Sequence, residues 1–260
     1  MSFIDIQWRK RPIRVEYEWV GSISNQAPIL VFLHEGLGSV SMWKDFSQQL
    51  SESLGIRGLV YSRPAYGKST ARAKDEFWDV DFLHRQALEV FPAFLEALKI
   101  KEPVHLLGHS DGGSIALLIA NAFPEKVRST IVIAPHIFVE RKTIQGIEQA
   151  LVAYQTGSLR QVLARYHDDV DSVFYGWNDV WLKPEFKEWN ITHELHQIAC
   201  PLLAIQGTDD PYGTMAQVED IAKYVKQVKV VKIPNGGHSL HRDSNIMLTK
   251  TIKLFLTSYI

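Results

Sequence analysis

Three polar residues stand in settings suited to nucleophilic attack on a carbonyl. Ser110 lies in Gly108-His109-Ser110-Asp111-Gly112, directly after the apolar run 104–107 and directly before a helical stretch. A strand that breaks through Gly-x-Ser-x-Gly into a helix presents the serine hydroxyl on a tight, strained turn. Gly108 and Gly112 keep side chains out of the crowded backbone there. The helix sets the Asp111 amide at its positive end, beside any oxyanion formed at Ser110. Alone the pattern is weak, because glycine and serine gather in ordinary turns. A serine nucleophile also needs a base, a group that orients the base and a second oxyanion donor.

Each of these has a candidate. The apolar run 202–205 ends in Gly207-Thr208-Asp209-Asp210-Pro211, where Asp210 has the Gly-x-x-Asp spacing expected of the orienting acid. Asp209 is the alternative, and a plain Asp-Pro turn would place the same residues there. The base is expected in Pro234-Asn235-Gly236-Gly237-His238, where His238 follows two glycines and has room to swing towards a serine. His241 is expected at the surface or at a helix start. The second oxyanion donor is expected in Leu33-His34-Glu35-Gly36-Leu37-Gly38-Ser39, with Gly36 first and Leu37 next.

The elements that must carry these residues are apolar strands alternating with amphipathic helices. Runs 29–33, 59–61, 104–107, 130–134, 202–205 and, less purely, 228–233 read as buried strands. Residues 13–20 alternate apolar and charged side chains, as a half-exposed antiparallel edge strand does. Helices are expected over 40–53, 80–98, 110–123, 215–225 and 246–257, with Pro92 kinking the second or marking its start. The pattern specifies an α/β fold, a mostly parallel sheet with helices on both faces. Residues 136–196 break the alternation with helical patterns and many aromatics, Phe174, Trp177 and Trp181 falling on one helical face. The expected division is a core of 1–135 and 197–260 with a helical cap of 136–196 over the sheet's C-terminal edge, where open α/β sheets bind ligands.

Composition narrows the function classes. The chain has 260 residues and a net charge of −1, with a pI near 6.8, so it carries no electrostatic footprint for nucleic acid or an anionic membrane. No apolar run approaches the roughly 20 residues needed to cross a bilayer. The first eleven residues have no signal-peptide core, so a cytoplasmic protein is the expectation. The single cysteine, Cys200, excludes a disulfide framework and reads as a small core residue. His193/His196 and His238/His241 have i, i+3 spacing without a clear third ligand, so no metal is expected. His167-Asp168-Asp169 reads as a solvated helix junction.

The order Ser110, Asp210, His238 resembles that of the α/β-hydrolase superfamily, particularly its capped esterases, lipases and C–C bond hydrolases. Tyr61-Ser62-Arg63-Pro64-Ala65-Tyr66-Gly67-Lys68-Ser69 is similar to the family's Asp-Arg-Pro-Gly-Tyr-Gly-x-Ser loop, and residues 93–100 resemble its usual helix end before the nucleophile strand. The chain departs from the pattern in three places. His34-Glu35-Gly36 stands where His-Gly is common, Asp111 puts a carboxylate directly after the serine, and Ser62 replaces the loop aspartate.

The resemblance implies hydrolysis of a small carboxylic ester through an acyl-enzyme, without a cofactor. The rivals are a C–C bond hydrolase of a diketone or dienoic acid and a ligand sensor on the same fold. Substrate is expected against Glu35, Leu37, Trp43, His136, Trp177 and Trp181. Two carboxylates near one oxyanion hole would repel anionic substrates and could hold an ammonium group. Against that, Asp111 could simply favour the helix N-terminus and Glu35 could pair with Arg63. Oligomeric state is not readable from the sequence.

Overall fold

The computed structural model describes residues 1–73 and 76–260. Its strands are β1 Ser2–Trp8, β2 Arg11–Gly21, β3 Ile29–Leu33, β4 Arg57–Tyr61, β5 Val104–His109, β6 Val127–Ile133, β7 Leu202–Gly207 and β8 Val228–Ile233. They form one sheet in the order β1-β2-β4-β3-β5-β6-β7-β8. The β1/β2 and β2/β4 pairs are antiparallel, and the pairs from β4 through β8 are parallel. Every residue of β3, β5 and β7 is buried, which is why those strands are largely apolar on both faces. β3 shows the period of two that builds the core. Ile29, Val31 and Leu33 feed one hydrophobic cluster, and Leu30 and Phe32 feed the other, on the opposite face.

The edge expected at 13–20 is corrected. β1 pairs outside β2 and is the true edge. The two join through Arg9 and Lys10, both at positive φ (51° and 61°). A two-residue hairpin loop of this kind usually carries Asn-Gly or Gly-rich pairs. With Arg-Lys in the loop, the turn leaves no mark in the composition.

The helices are α1 Phe46–Leu54, α2 Phe82–Arg85, α3 Phe91–Ala97, α4 Asp111–Ala122, α5 Arg141–Thr156, α6 Leu159–Leu163, α7 Val170–Leu182, α8 Ala216–Glu219, α9 Ile221–Tyr224, α10 Leu240–Asp243 and α11 Asn245–Leu256. The helix expected over 40–53 divides into a 3₁₀ turn, Val40–Trp43, and α1, because Lys44 between them sits at φ 52°. The one expected over 80–98 runs from α2 through a π-helical stretch, Gln86–Val90, into α3. Pro92 falls in the first turn of α3, and the π stretch ahead of it re-registers the backbone around a residue that cannot donate. Among the described residues, no helix is long and apolar enough to cross a membrane.

Between β6 and β7 the chain makes a helical excursion through α5, α6 and α7. An antiparallel bridge between Phe138 and Asn190 pinches its neck. There Val139 N donates to Trp189 O at 3.2 Å and Ile191 N to Ile137 O at 2.8 Å. The Asp169 side chain caps α7 by accepting from Ser172 N at 3.0 Å. Phe174, Trp177 and Trp181 of α7 are buried together, facing the sheet's hydrophobic cluster.

Candidate active site

Ser110 links β5 to α4 at φ 53°, ψ −120°. A non-glycine residue is strained at positive φ, so the surroundings must hold it there. Its amide donates to Ile133 O at 2.9 Å, which ties the turn to the end of β6. On the other side a Cβ on Gly112 would lie 2.1 Å from Leu33 O, so the turn sits hard against the end of β3. Ser110 is thereby set between the loops that follow β3 and β6, and 7 % of its surface stays exposed.

Asp210 and His238 meet at the ends of β7 and β8. The His238 Nδ1–H donates to Asp210 Oδ2 at 2.8 Å and also lies 3.0 Å from Oδ1. Gln206 Nε2 donates to Oδ2 at 2.9 Å and Tyr212 N to Oδ1 at 2.8 Å, so this buried carboxylate has its lone pairs filled. Burial opposes the charge of Asp210, but the hydrogen bond and charge of His238 outweigh it and hold the carboxyl below its usual range. Asp209 points away, with Oδ1 accepting from the Thr208 hydroxyl in an exposed turn. Of the two expected candidates, only Asp210 touches His238. With Nδ1 engaged, the imidazole has Nε2 left for another partner. Among the described residues, no hydrogen bond joins Ser110 Oγ to His238. Such contacts commonly tighten only when substrate is bound.

His109 couples the serine turn to the histidine loop. Its Nε2–H donates to His238 O at 2.9 Å, and its Nδ1 lies 3.6 Å from Glu35 Oε2. Glu35 Oε1 lies 3.5 Å from Arg242 Nη2. Burial works against the Glu35 charge, yet the carboxyl is held well below its usual range, with His109 beside it the main opposing influence. Arg63 does not pair with this carboxylate. Its Nη2 donates to the Glu35 carbonyl at 2.9 Å.

That carbonyl is the anchor of the loop after β3. The His34 Nδ1–H donates to it at 2.7 Å, and Gly38 N closes a four-residue turn onto it at 3.1 Å. His34 Nε2 accepts from Arg63 N at 3.0 Å, so the ring is neutral with its proton on Nδ1. In a trans peptide the N–H points opposite to the C=O. Fixing the Glu35 carbonyl towards His34 and Arg63 therefore turns the Gly36 N–H to the other side of that plane. Gly36 must lack a side chain, because a Cβ there would lie 2.1 Å from Trp177 Nε1.

Asp111 is buried at the start of α4, and its Oδ2 has no hydrogen-bond partner among the described residues. Burial pushes its carboxyl up to about 6, against the pull of the Arg63 guanidinium and the nearby Trp181 indole N–H. Trp181 packs edge-on against His136 with ring centres 5.1 Å apart, and His136 stacks beside His238 at 6.2 Å. Burial and the adjacent His238 push the His136 imidazole down to about 3, so it is neutral. Trp181 and His136 thus lie beside Asp111 and His238, and Trp177 lies against Gly36.

Other expectations are corrected. Trp43 is 2 % exposed and packs with Phe32, Phe46 and His241 in the cluster on the opposite face of the sheet, so it does not line this site. His241 lies at the start of α10, as one of its two expected placements had it, but is buried rather than at the surface; burial, with His109 next, pushes its imidazole down to about 3. His167 is buried as well, while Asp168 and Asp169 are exposed between α6 and α7, so the expected solvated junction holds for the two aspartates and not for the histidine. Ser62 donates to Glu16 Oε2 at 2.7 Å and accepts from Val40 N at 2.9 Å, so the carboxylate missing from the loop arrives from β2. Cys200 is a core residue beside the Thr130 hydroxyl. His193 and His196 do not converge on a common point. His196 Nδ1–H donates to His193 O at 2.6 Å, while the His193 ring faces Tyr224. Sequence reasoning missed His34, His109 and Gln206; their only signal was adjacency to the glycine turns and to the β7 end.

Residues 30–245 match the family model described as Alpha/beta hydrolase family. The chain is 27% identical over 203 residues to "Serine hydrolase BPHL" of Mus musculus, covering 76% of this chain and 69% of that protein. It is 26% identical over 254 residues to "Putative carbamate hydrolase RutD" of Pseudomonas savastanoi pv. phaseolicola (strain 1448A / Race 6), covering 89% and 95%. Among solved structures, a thermophilic esterase from Thermogutta terrifontis superposes with a TM-score of 0.76 at 17% identity over 100% of this chain and 99% of that one, a likeness of fold. With the match running from β3 to the start of α11 and the sheet order above, the chain belongs to the alpha/beta hydrolase family.

Proposed function

We propose that the protein hydrolyses small carboxylic esters through a Ser110–His238–Asp210 triad. Ser110 Oγ attacks the ester carbonyl while His238 Nε2 takes its proton, and Asp210 holds the imidazole and stabilises it once charged. The oxyanion is met by the amides of Gly36, with Leu37 as the neighbouring donor, and Asp111. The tetrahedral intermediate collapses as His238 returns the proton to the departing alcohol. Water, deprotonated by His238, then attacks the acyl-enzyme, and the carboxylic acid leaves with Ser110 restored. The reading rests on one observation above the others: the filled carboxylate of Asp210 bonded to His238 Nδ1, beside a serine held at positive φ. The names of the serine hydrolase and the carbamate hydrolase relatives are consistent with it.

The helical excursion 136–196 acts in this reading as a cap, with Leu37, His136, Trp177 and Trp181 as the substrate's apolar walls. Asp111 supplies the polar preference. Its carboxyl is buried without a hydrogen-bonded counterpart on Oδ2, and a substrate ammonium would supply one. Glu35 is already engaged with His109 and Arg242, so its role is structural rather than substrate-facing. An acidic dienoate would meet the Asp111 charge, which disfavours C–C hydrolysis on the same residues.

The test compares wild type with Ser110→Ala on p-nitrophenyl acetate and butyrate, then on amino-acid esters. The expected outcome is turnover by wild type, loss of on the order of 10³-fold or more in kcat for the variant, and a preference for esters that carry a free amine. Retained turnover in Ser110→Ala would remove the proposed nucleophile. Wild type that binds esters without turning them over would favour the sensor reading.

A further inference from the structure

The helical excursion meets the turn of residues 35–38 at two side chains: Trp177 of α7 packs against Gly36, and His167, in the loop between α6 and α7, bonds to its backbone. Gly67 N donates to His167 Nδ1 at 2.9 Å, and the ring's Nε2–H donates to Leu37 O at 2.9 Å. Asp168 N donates to Gly67 O at 3.0 Å, so the excursion grips Gly67 by both its amide and its carbonyl. The ring is buried, edge-on to Tyr66 with centres 6.2 Å apart. Because Nδ1 accepts a backbone N–H, the proton of the neutral ring must sit on Nε2. One imidazole therefore ties together three separate segments: the excursion, the loop after β4 and the loop after β3.

The turn of residues 35–38 has two outer peptide planes and a middle one. The first, Glu35–Gly36, is pinned by His34 and Arg63. The last, Leu37–Gly38, is pinned on its carbonyl by His167, with its N–H on Glu35 O. The plane between carries the Leu37 N–H, and the first carries the Gly36 N–H, the two expected oxyanion donors. From this we infer that His167 is a positioning residue: it fixes the oxyanion turn from the cap side, so that the hole is fully set only while the cap is seated. The inference rests on the ester-hydrolase reading above. It predicts that loss of the clasp falls on kcat, because an oxyanion hole engages charge that exists only in the transition state.

Two substitutions separate hydrogen bonding from packing. His167→Phe keeps a ring against Tyr66 and removes both hydrogen bonds, whereas His167→Gln offers a neutral acceptor and donor at similar spacing. The expected result is a kcat roughly tenfold or more below wild type for His167→Phe with KM little changed, a smaller loss than the roughly 10²–10³ of deleting a donor outright. His167→Gln should recover most of that loss. Equal kcat for His167→Phe and wild type, or a His167→Gln as impaired as His167→Phe, would overturn the proposal. A substrate-free readout keeps it apart from the ester reading. Long-range ¹H–¹⁵N spectra of the wild-type protein should show His167 neutral with the proton on Nε2. Hydrogen exchange over 34–39 should quicken in His167→Phe. A proton on Nδ1, or unchanged exchange in that turn, would overturn the clasp whether or not esters are substrates. Wild-type inactivity on esters with these two signatures present would overturn the ester reading and leave the clasp standing.

Discussion

Single side chains in this site are sorted by whether their charge is answered. Asp210 has His238, Gln206 and Tyr212 around it, and Glu35 has His109 and Arg242, so both ionise readily despite burial. Asp111 lacks such a set, and burial raises its carboxyl to about 6 from an ordinary 3.8. The consequence for stability has a definite sign. Between those two values the unfolded chain has released the proton and the folded chain still holds it, so stability falls as pH rises through that window and levels off above it. The full loss is about 3 kcal/mol, from roughly 1.4 kcal/mol for each pH unit between them. Asp111→Asn removes the titrating group, so the variant should gain on wild type between pH about 4.5 and about 7. Urea unfolding of both proteins at the two pH values measures this. Parallel pH dependence would mean that Asp111 carries no such penalty. The same carboxylate should make amine-bearing esters better substrates above pH about 6, where it is charged.

At the level of elements, the strands and the serine turn were legible because their physics is local. A strand buried on both faces is mostly apolar, and β3, β5 and β7 advertised themselves in this way, with His105, His109 and Gln206 as the polar exceptions. Ser110, Asp210 and His238 were marked by the glycines that crowded backbones require. β1 was not legible, since its hairpin uses Arg9 and Lys10 at positive φ instead of residues that favour it. Nor were the roles of His34, His109 and His167, because each depends on which carbonyl a distant loop delivers. Trp43 was misplaced for a related reason: it packs with Phe32 and His241, contacts that no local pattern signals. The crowding itself can be tested with two glycines. Gly55 sits at φ 65° with nothing within 4 Å of where a Cβ would stand, so Gly55→Ala should cost only the backbone strain, about 1–2 kcal/mol. Gly112→Ala must push α4 off the Leu33 carbonyl, 2.1 Å from the new Cβ, and should cost more and abolish turnover. Denaturation curves and ester kinetics on the pair decide it; a Gly112→Ala protein with wild-type turnover would mean that the turn and β3 need not touch.

Over the whole molecule, the excursion is not a loosely hung lid. One hydrophobic cluster runs from the face of the sheet carrying α4 into α7 without a break. Its seam is a ladder of aromatic rings: Trp78 stacks on Phe82 at 5.8 Å, Phe82 meets Phe186 at 5.8 Å, and Phe186 meets Trp181 at 4.8 Å and Trp189 at 5.4 Å. Phe186 is the rung that touches both sides, and it is wholly buried. Continuous packing of this kind argues that sheet and excursion unfold together, so wild type should show one cooperative thermal transition with loss of activity coinciding with it. Phe186→Ala should cost about 3–5 kcal/mol, as other large-to-small changes in sealed cores do. It should do so unevenly, because the excursion keeps its own helices while losing its grip on Phe82. The expected signature is a split: activity and protection of α7 amides lost at a lower temperature than the sheet's circular dichroism, with β3 and β5 still protected from exchange. A variant that is destabilised yet still melts in one step would place the weakest seam elsewhere. Two transitions in the wild-type protein would mean that excursion and sheet are separate cooperative units, and the aromatic ladder only a contact between them.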